Sequence, residues 1–424
     1  MSAAGINHDL LPDSASVVDG RLTIGGCDVE KLARTHGTPL FIYDEEHLRT
    51  RCRDAVSAFG GNVAYASKAF LCTAMAKLAH AEGMAIDVST GGEMYVAIHA
   101  GVPADRLVLH GNNKSPHELE AALKQGVGRI VVDSWDEIDR IEQLIAEGLP
   151  VPRVLIRVNP GIEAHTHEYL KTGITDSKFG FPLAAGVADK AIRHVRSSKA
   201  FDFVGIHAHI GSQVFDVDSF SRAIESLAPF VNRSGASEFS IGGGLGVAYV
   251  EGEKAMSIAS WATAAIESAA ANDIQATIHA EPGRAIVASA AITAYEIGTI
   301  KEIPGIRTYV AVDGGMSDNP RPVLYGSGYE AFRAIDPDAE RSTKVHIVGK
   351  HCESGDVIVK DAAVPADLSV GDVLCTPVTG AYGHSMGSNY NKVLRPAVVF
   401  VADGTARLVV ERETYNDLVA RDVG

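Results

Sequence analysis

Lys68, the His207-x-His209 pair, Ser212, the Gly242-Gly243-Gly244 triplet and the Glu281-Pro-Gly283-Arg284 run are the residues whose types and spacing point to chemistry. Singly, each has an ordinary reading. A lysine ending a strand is usually solvated, a glycine triplet is usually a turn, and a Glu/Arg pair is usually a surface ion pair worth little. Together they are complementary. Glycine N–H groups can approach a phosphate closely, with Ser212 as a further donor. His207 and His209, two residues apart, fall on one face of a strand, where the flat His209 ring can stack on a planar cofactor or the pair can bind a metal ion. Glu281 can meet a ring nitrogen, and the Lys68 amine can condense with an aldehyde. Phosphate, planar ring, basic nitrogen and aldehyde in one molecule describe pyridoxal 5′-phosphate.

A repeated unit must position these groups. From Asn62 to Arg284 a short β-rich apolar run, a turn and a helical pattern recur, with runs starting near Val63, Met84, Arg106, Arg129, Arg153, Phe203, Glu238 and Thr277. The first four intervals, 21, 22, 23 and 24 residues, each hold a strand, a loop and a helix of three turns. Continuous apolar strands alternating with helices imply parallel pairing, and eight such units close into a (β/α)8 TIM barrel. An open doubly wound sheet is disfavoured because no GxGxxG follows the first strand. Barrel chemistry sits at the C-terminal strand ends. Lys68 follows the first strand, Asp87 the second, Arg157 and Asn159 the fifth, His209 and Ser212 the sixth, the glycines the seventh, and Glu281 to Arg284 the eighth. One rim collects them all.

The flanks read as β-structure. Ser16 to Gly25 forms a hairpin with Asp19-Gly20 at its turn, and Pro39 to Tyr43 a further strand. After the barrel, β-like runs cover Arg307 to Asp313, Val345 to Lys350, Asp372 to Val378, Pro396 to Val401 and Ala406 to Glu411, the last two joined by Asp403-Gly404. The expected fold class is therefore α/β: residues 45–287 form the barrel, and residues 1–44 and 288–424 form a β-rich domain built from both chain termini.

Composition narrows the functional classes. The balance of 38 Lys and Arg against 53 Asp and Glu gives a formal charge of −15, which argues against a broad cationic surface for nucleic acid or an anionic membrane. No apolar run is long enough to span a bilayer, and the opening MSAAGINHDL lacks the basic segment and apolar core of a secretory signal. The five cysteines (Cys27, Cys52, Cys72, Cys352 and Cys375) are scattered and odd in number, with no CxxC pair. That pattern predicts a cytoplasmic protein with neither a disulfide framework nor a structural zinc site.

Further segments extend the pattern in order: TPLFIYD at Thr38, YASKAF at Tyr65, HIGSQ at His209, GGGLG at Gly242, EPGR at Glu281, DGGMSDNPRP at Asp313, HCESGD at His351, TGAYGHSMGSNYN at Thr379 and ERET at Glu411. On these segments the chain resembles the fold-type III, alanine-racemase-like PLP-dependent decarboxylases over nearly its whole length. Within them it is most similar to the branch that converts meso-2,6-diaminopimelate to L-lysine. Two departures stand out: Ala208 where many relatives have cysteine, and Gly383-His384 in place of Cys-Tyr after TGAY.

The resemblance implies roles position by position. Lys68 becomes the cofactor-linking lysine. Gly243, Gly244, Ser212, Gly283 and the Tyr382 hydroxyl hold the phosphate, His209 stacks on the ring, and Glu281 pairs with the ring nitrogen. Asp87 and Arg157 are further contacts around Lys68 and the ring. Cys352 returns a proton to the substrate across the interface of a homodimer with shared active sites. A distal carboxylate would meet Arg284, Arg321 and Tyr325, and a distal ammonium Glu353, with Tyr382 nearby. Two arginines would repel a substrate that carries only an amine there. The rivals are a decarboxylase of arginine, ornithine or carboxynorspermidine, an amino-acid racemase, a metal-dependent hydrolase built on His207-x-His209, and a regulatory paralogue with a dead site. The presence of Lys68 and Cys352 speaks against the last.

Overall fold

The computed structural model describes residues 7–161, 177–209 and 211–424. The chain divides into two units: Arg51–Val247 with Ala255–Ala285, and Met1–Thr50 with Ala248–Lys254 and Ile286–Gly424. Ala248–Lys254, which the sequence-based boundaries assign to the barrel, thus groups with the terminal segments. Among the described residues no helix is long and apolar enough to cross a membrane.

The first unit is the expected barrel. Its strands are β1 (Ala64–Ala66), β2 (Ala85–Val88), β3 (Leu107–Leu109), β4 (Arg129–Val132), β5 (Arg153–Asn159), β6 (Asp202–Ala208), β7 (Glu238–Ser240) and β8 (Thr277–His279). All begin within one residue of the starts read from sequence. They pair in parallel and in chain order. The barrel closes through the Val63–Ala280 bridge, with the Ala64 N–H donating to the Ala280 carbonyl at 2.9 Å and the Ala66 N–H to that of Pro282 at 3.1 Å. Helix starts follow from capping. Thr90, Ser115, Ser134, Asp216 and Ser257 each accept a backbone N–H in the first turn, and Ser115 with Glu118 forms a reciprocal capping box.

The interior explains where the chemistry lies. Ala64, Val108, Val131, Leu155 and Val204, with Ala85 packed against them, form an apolar layer. Side chains two residues apart share a strand face, so the next inward positions above Ala85, Val108, Val131 and Leu155 are Asp87, His110, Asp133 and Arg157. On β6 a register shift at Phe203/Gly205 brings His207 level with Arg157 and Ser240. A polar layer therefore caps the apolar one at the C-terminal rim.

The second unit holds a mixed sheet. Its strands include β9 (Ala291–Ile303), β10 (Arg307–Val312), β11 (Thr343–Val348), β12 (Val357–Val364), β13 (Val373–Pro377), β14 (Ala397–Ala402) and β15 (Thr405–Val410). Leu40–Asp44, buried throughout, lies antiparallel to β9 on one side and parallel to β14 on the other. Leu22, Ile24, Ile42, Ile292, Phe332 and Val399 belong to one apolar core. The expected turns are present, with φ of 50° and 71° at Asp19-Gly20 and 49° and 72° at Asp403-Gly404. Sequence reading missed β9 and β12.

Candidate active site

Lys68 lies in a single 3₁₀ turn, Ser67–Ala69, immediately after β1, and its side chain is exposed. Beside it the end of β8 comes very close. A Cβ on Gly283 would stand 2.9 Å from the Ala66 carbonyl oxygen and 3.0 Å from its Cβ, so only glycine allows the two chain segments to meet without displacement.

Glu281 is the electrostatic centre. Its Oε2 is 2.9 Å from His207 Nε2, its Oε1 accepts from Ser240 Oγ at 2.8 Å, and His110 Nε2 is 3.4 Å from Oε1. Burial alone would push this carboxyl up, but His110 and His207 hold it well below the usual carboxylate range. His207 is pushed down to about 4, chiefly by burial, so it is the neutral ring and gives Glu281 its Nε2–H. Asp87 is pushed up to about 6 by burial and by the Glu281 charge, against the pull of His110 and Lys68. Arg157 stands 3.6 Å from Asp133 and lies over the Phe179 ring at 4.3 Å.

The glycine loop is built by close approach. Gly242 (φ 69°) and Gly244 (φ 112°) adopt conformations that L side chains rarely take. A Cβ on Gly242 would meet His209 Nδ1 at 2.6 Å, while one on Gly243 or Gly244 would run into the carbonyl oxygens of Glu281 or Gly211. The Gly243 N–H donates to His209 Nδ1 at 3.2 Å, which leaves the His209 ring proton on Nε2. Burial, with help from Lys68, Arg157 and His207, holds His209 well below its ordinary value, so its ring is neutral and suited to stacking. Arg284 donates to Ser212 Oγ at 3.0 Å. Ile210, within the HIGSQ segment, lies outside the described residues.

The barrel thus brings together Lys68, Asp87, Arg157, His209, Ser212, Gly243, Gly244, Glu281, Gly283 and Arg284 in one unit. The His207-x-His209 pair required by the zinc alternative does not form: His209 turns to the glycine loop, and the side chains that converge on His207 are His110 and Glu281, the latter already bonded to His207 and Ser240. His110 was missed by sequence reading because a lone histidine after an apolar run carries no pattern of its own.

The remaining expected residues belong to the second unit. Arg321 is buried, donates to the Tyr329 hydroxyl at 2.9 Å and lies 4.2 Å over the Tyr249 ring. Tyr325 ends the short helix Arg321–Tyr325 and is half-buried. Cys352 is exposed, its N–H held by Asn391 Oδ1 at 2.9 Å, and Glu353 is exposed beside it. Their loop is anchored by His351, whose Nδ1 pairs with Asp356 at 2.8 Å while its ring stacks on Tyr390. Tyr382 is half-buried with φ of 64°. At the departure next to it, a Cβ on Gly383 would stand 3.1 Å from the Phe41 ring, and His384 meets that same ring edge-on.

The barrel residues fit pyridoxal phosphate. Asp87 Oδ1, His110 Nε2 and His207 Nδ1 are buried polar atoms without hydrogen-bond partners among the described residues, the kind of unsatisfied wall that a polar ligand completes. An ionised buried carboxylate suits a protonated ring nitrogen, and the glycine loop leaves backbone where side chains would otherwise stand. A closed parallel barrel with this rim defines the pyridoxal-dependent decarboxylases, and residues 45–288 match the model of that family's pyridoxal-binding domain. Diaminopimelate decarboxylases of Mycobacterium tuberculosis and Bacillus subtilis are each 45% identical to the chain, the alignments covering 95% of it and 95% of the relative. The crystal structure of the M. jannaschii diaminopimelate decarboxylase in complex with L-lysine superposes with a TM-score of 0.90 at 33% identity, covering 97% of this chain and 98% of that one. The Helicobacter pylori diaminopimelate decarboxylase, also complexed with L-lysine, gives 0.83 at 30% identity over 93% and 98%. The chain belongs to the diaminopimelate decarboxylase family of carboxy-lyases.

Proposed function

We propose that this chain decarboxylates meso-2,6-diaminopimelate at its D-configured centre, yielding L-lysine and CO₂, as a cytoplasmic homodimer dependent on pyridoxal 5′-phosphate. The observation that carries the reading is the buried Glu281 just after β8, bonded to His207 and Ser240, beside a strand whose end carries Lys68. When bound, the cofactor supplies an electron sink for the bond broken as CO₂ departs.

The chain's own residues do the rest. Lys68 would hold the aldehyde of the bound cofactor, Glu281 would pair with its ring nitrogen, and the neutral His209 ring would lie against it. Gly243, Gly244, Gly283, Ser212 and the Tyr382 hydroxyl would hold the phosphate, and Asp87 and Arg157 would complete the wall around Lys68 and the ring. Arg284, Arg321 and Tyr325 bind the distal carboxylate, with Tyr382 beside them, and Glu353 binds the distal ammonium. A substrate lacking that carboxylate leaves arginine charge unmatched, which favours diaminopimelate over ornithine or lysine. Cys352 Sγ, contributed by the other subunit, returns the proton to Cα.

Borohydride reduction of the loaded enzyme should fix the cofactor to Lys68, seen as a mass shift on its peptide; labelling elsewhere refutes the assignment. Cys352→Ala should slow turnover with cofactor binding intact, and mixing it with Lys68→Ala should restore activity in hybrid dimers. Faster CO₂ release from ornithine or arginine than from diaminopimelate would overturn the substrate assignment.

A further inference from the structure

His110 has no task in the reaction just described, yet it stands at the centre of the buried polar layer. Its Nε2 lies 3.7 Å from Asp87 Oδ1 and 3.4 Å from Glu281 Oε1, and its ring meets His207 edge-on with centroids 4.8 Å apart. Neither His110 Nε2 nor Asp87 Oδ1 has an aligned hydrogen-bond partner among the described residues. At 3.4 Å the contact with Glu281 joins charge to a long, poorly aligned hydrogen bond, and that with Asp87 is one of charge.

The three groups that touch Glu281 are not equivalent. Ser240 gives a hydroxyl proton and His207, a neutral ring, gives an N–H. Burial and Arg157 oppose a charge on His110, but Asp87 and Glu281 outweigh them and raise its proton affinity above the ordinary. Of these three, His110 is the one whose proton affinity its carboxylate neighbours raise, lying 3.7 Å from Asp87 and 3.4 Å from Glu281.

We propose that His110, as an imidazolium between Asp87 and Glu281, is a positioning residue that keeps Glu281 anionic and thereby keeps the proton on the ring nitrogen of the bound cofactor. This rests on the pyridoxal reading of the site. Charges then alternate: Asp87 negative, His110 positive, Glu281 negative, ring nitrogen positive. A cation behind the carboxylate lowers its proton affinity, so the shared proton stays on the ring. Without that cation, burial pushes Glu281 toward its neutral form, the proton leaves the ring, and the electron sink weakens.

The test uses holoenzyme reconstituted with pyridoxal phosphate ¹⁵N-labelled at the ring nitrogen. Its readouts are the ¹⁵N chemical shift, the cofactor dissociation constant and the thermal melt. The wild type should show a protonated ring. His110→Asn and His110→Phe should move the signal toward neutral pyridine and weaken cofactor binding about tenfold; Asp87→Asn, which leaves the imidazole in place, should move it in the same direction. In a Glu281→Gln background, where the ring is already neutral, the His110 replacements should no longer weaken cofactor binding, because their effect runs through that carboxylate. A purely structural role would instead weaken binding equally in both backgrounds, and that result overturns the proposal. So does a native-like melt with an unmoved ring signal in either His110 variant. A wild type that forms no bond at Lys68 overturns the pyridoxal reading itself, a result separable from both.

Discussion

Gly242→Ala is the perturbation whose size can be worked from geometry. Gly242 has φ of 69°, and a Cβ there would lie 2.6 Å from His209 Nδ1 and 2.8 Å from the Ala208 carbonyl oxygen. Alanine in a left-handed conformation costs roughly 1–2 kcal/mol. Forcing a methyl group into a filled space adds about 1–3 kcal/mol. Together these should destabilise the apo-protein by about 2–5 kcal/mol, a large part of the stability of a typical domain. The carbonyl cannot move without straining the backbone, so the His209 ring is displaced first. Loss of a ring-on-ring contact worth about 0.5–1.5 kcal/mol should weaken cofactor binding roughly twofold to twelvefold. Gly148→Ala isolates the backbone part, since Gly148 has φ of 96° with nothing within 4 Å of its Cβ position. It should lose about 1–2 kcal/mol and bind cofactor normally. Gly283→Ala, at an ordinary φ, isolates the steric part. Urea denaturation and fluorescence titration with pyridoxal phosphate measure the two quantities. If Gly242→Ala binds cofactor as tightly as Gly148→Ala, the loop does not position His209 and the reasoning fails.

Two further predictions concern the barrel frame. Lys114 Nζ is 2.7 Å from Glu137 Oε1, and both side chains are buried. Lys114→Met should cost about 3–5 kcal/mol by leaving a buried carboxyl uncompensated, whereas Lys114→Met with Glu137→Leu should recover most of it in urea melts. At the N-terminal ends of the strands, Arg129 clasps Glu238 with bonds of 2.5 and 2.7 Å, and Arg153 adds one of 3.0 Å. Burial opposes ionisation there, but the arginines with His279 hold Glu238 below the usual carboxylate range. A depressed native pKa gives stability that is present above the unfolded value and is lost as pH falls through the native one. Glu238→Gln should therefore be less stable than wild type by about 1.5–3 kcal/mol at pH 7, with the gap closing under acid. A gap that widens on acidification contradicts the sign.

The strands of the barrel were legible because each is a short apolar run bracketed by turns, and the spacing of the runs left room for one helix. Their end residues could be aligned on one rim because a parallel barrel puts all C-termini at one face. The long β9 escaped notice because it changes character along its length. Ala291 to Tyr295 is buried on both faces, pairing with two neighbours, while Gly298 to Glu302 is exposed and pairs with β10. No single period covers both halves. β12 has no steady alternation, because Lys360 and Asp361 are both exposed in its middle and Asp361 takes a φ of 50°. His110, Asp133 and Ser240 were illegible for a different reason. Their significance lies only in the layer that strand register creates, and nothing local in the sequence marks that layer.

Leu40–Asp44 has an implication for how this chain is made. Its five residues are buried and hydrogen-bonded on both sides, to β9 and to β14. A ribosome therefore releases this greasy ribbon long before either neighbour exists, and Ala397 is synthesised 357 positions after Leu40. Until Ala291 is made it offers two naked edges, and one until Ala397, the sort of template on which nascent polypeptides tangle. That stretch can complete its sheet only once the segment from Ala397 has left the ribosome.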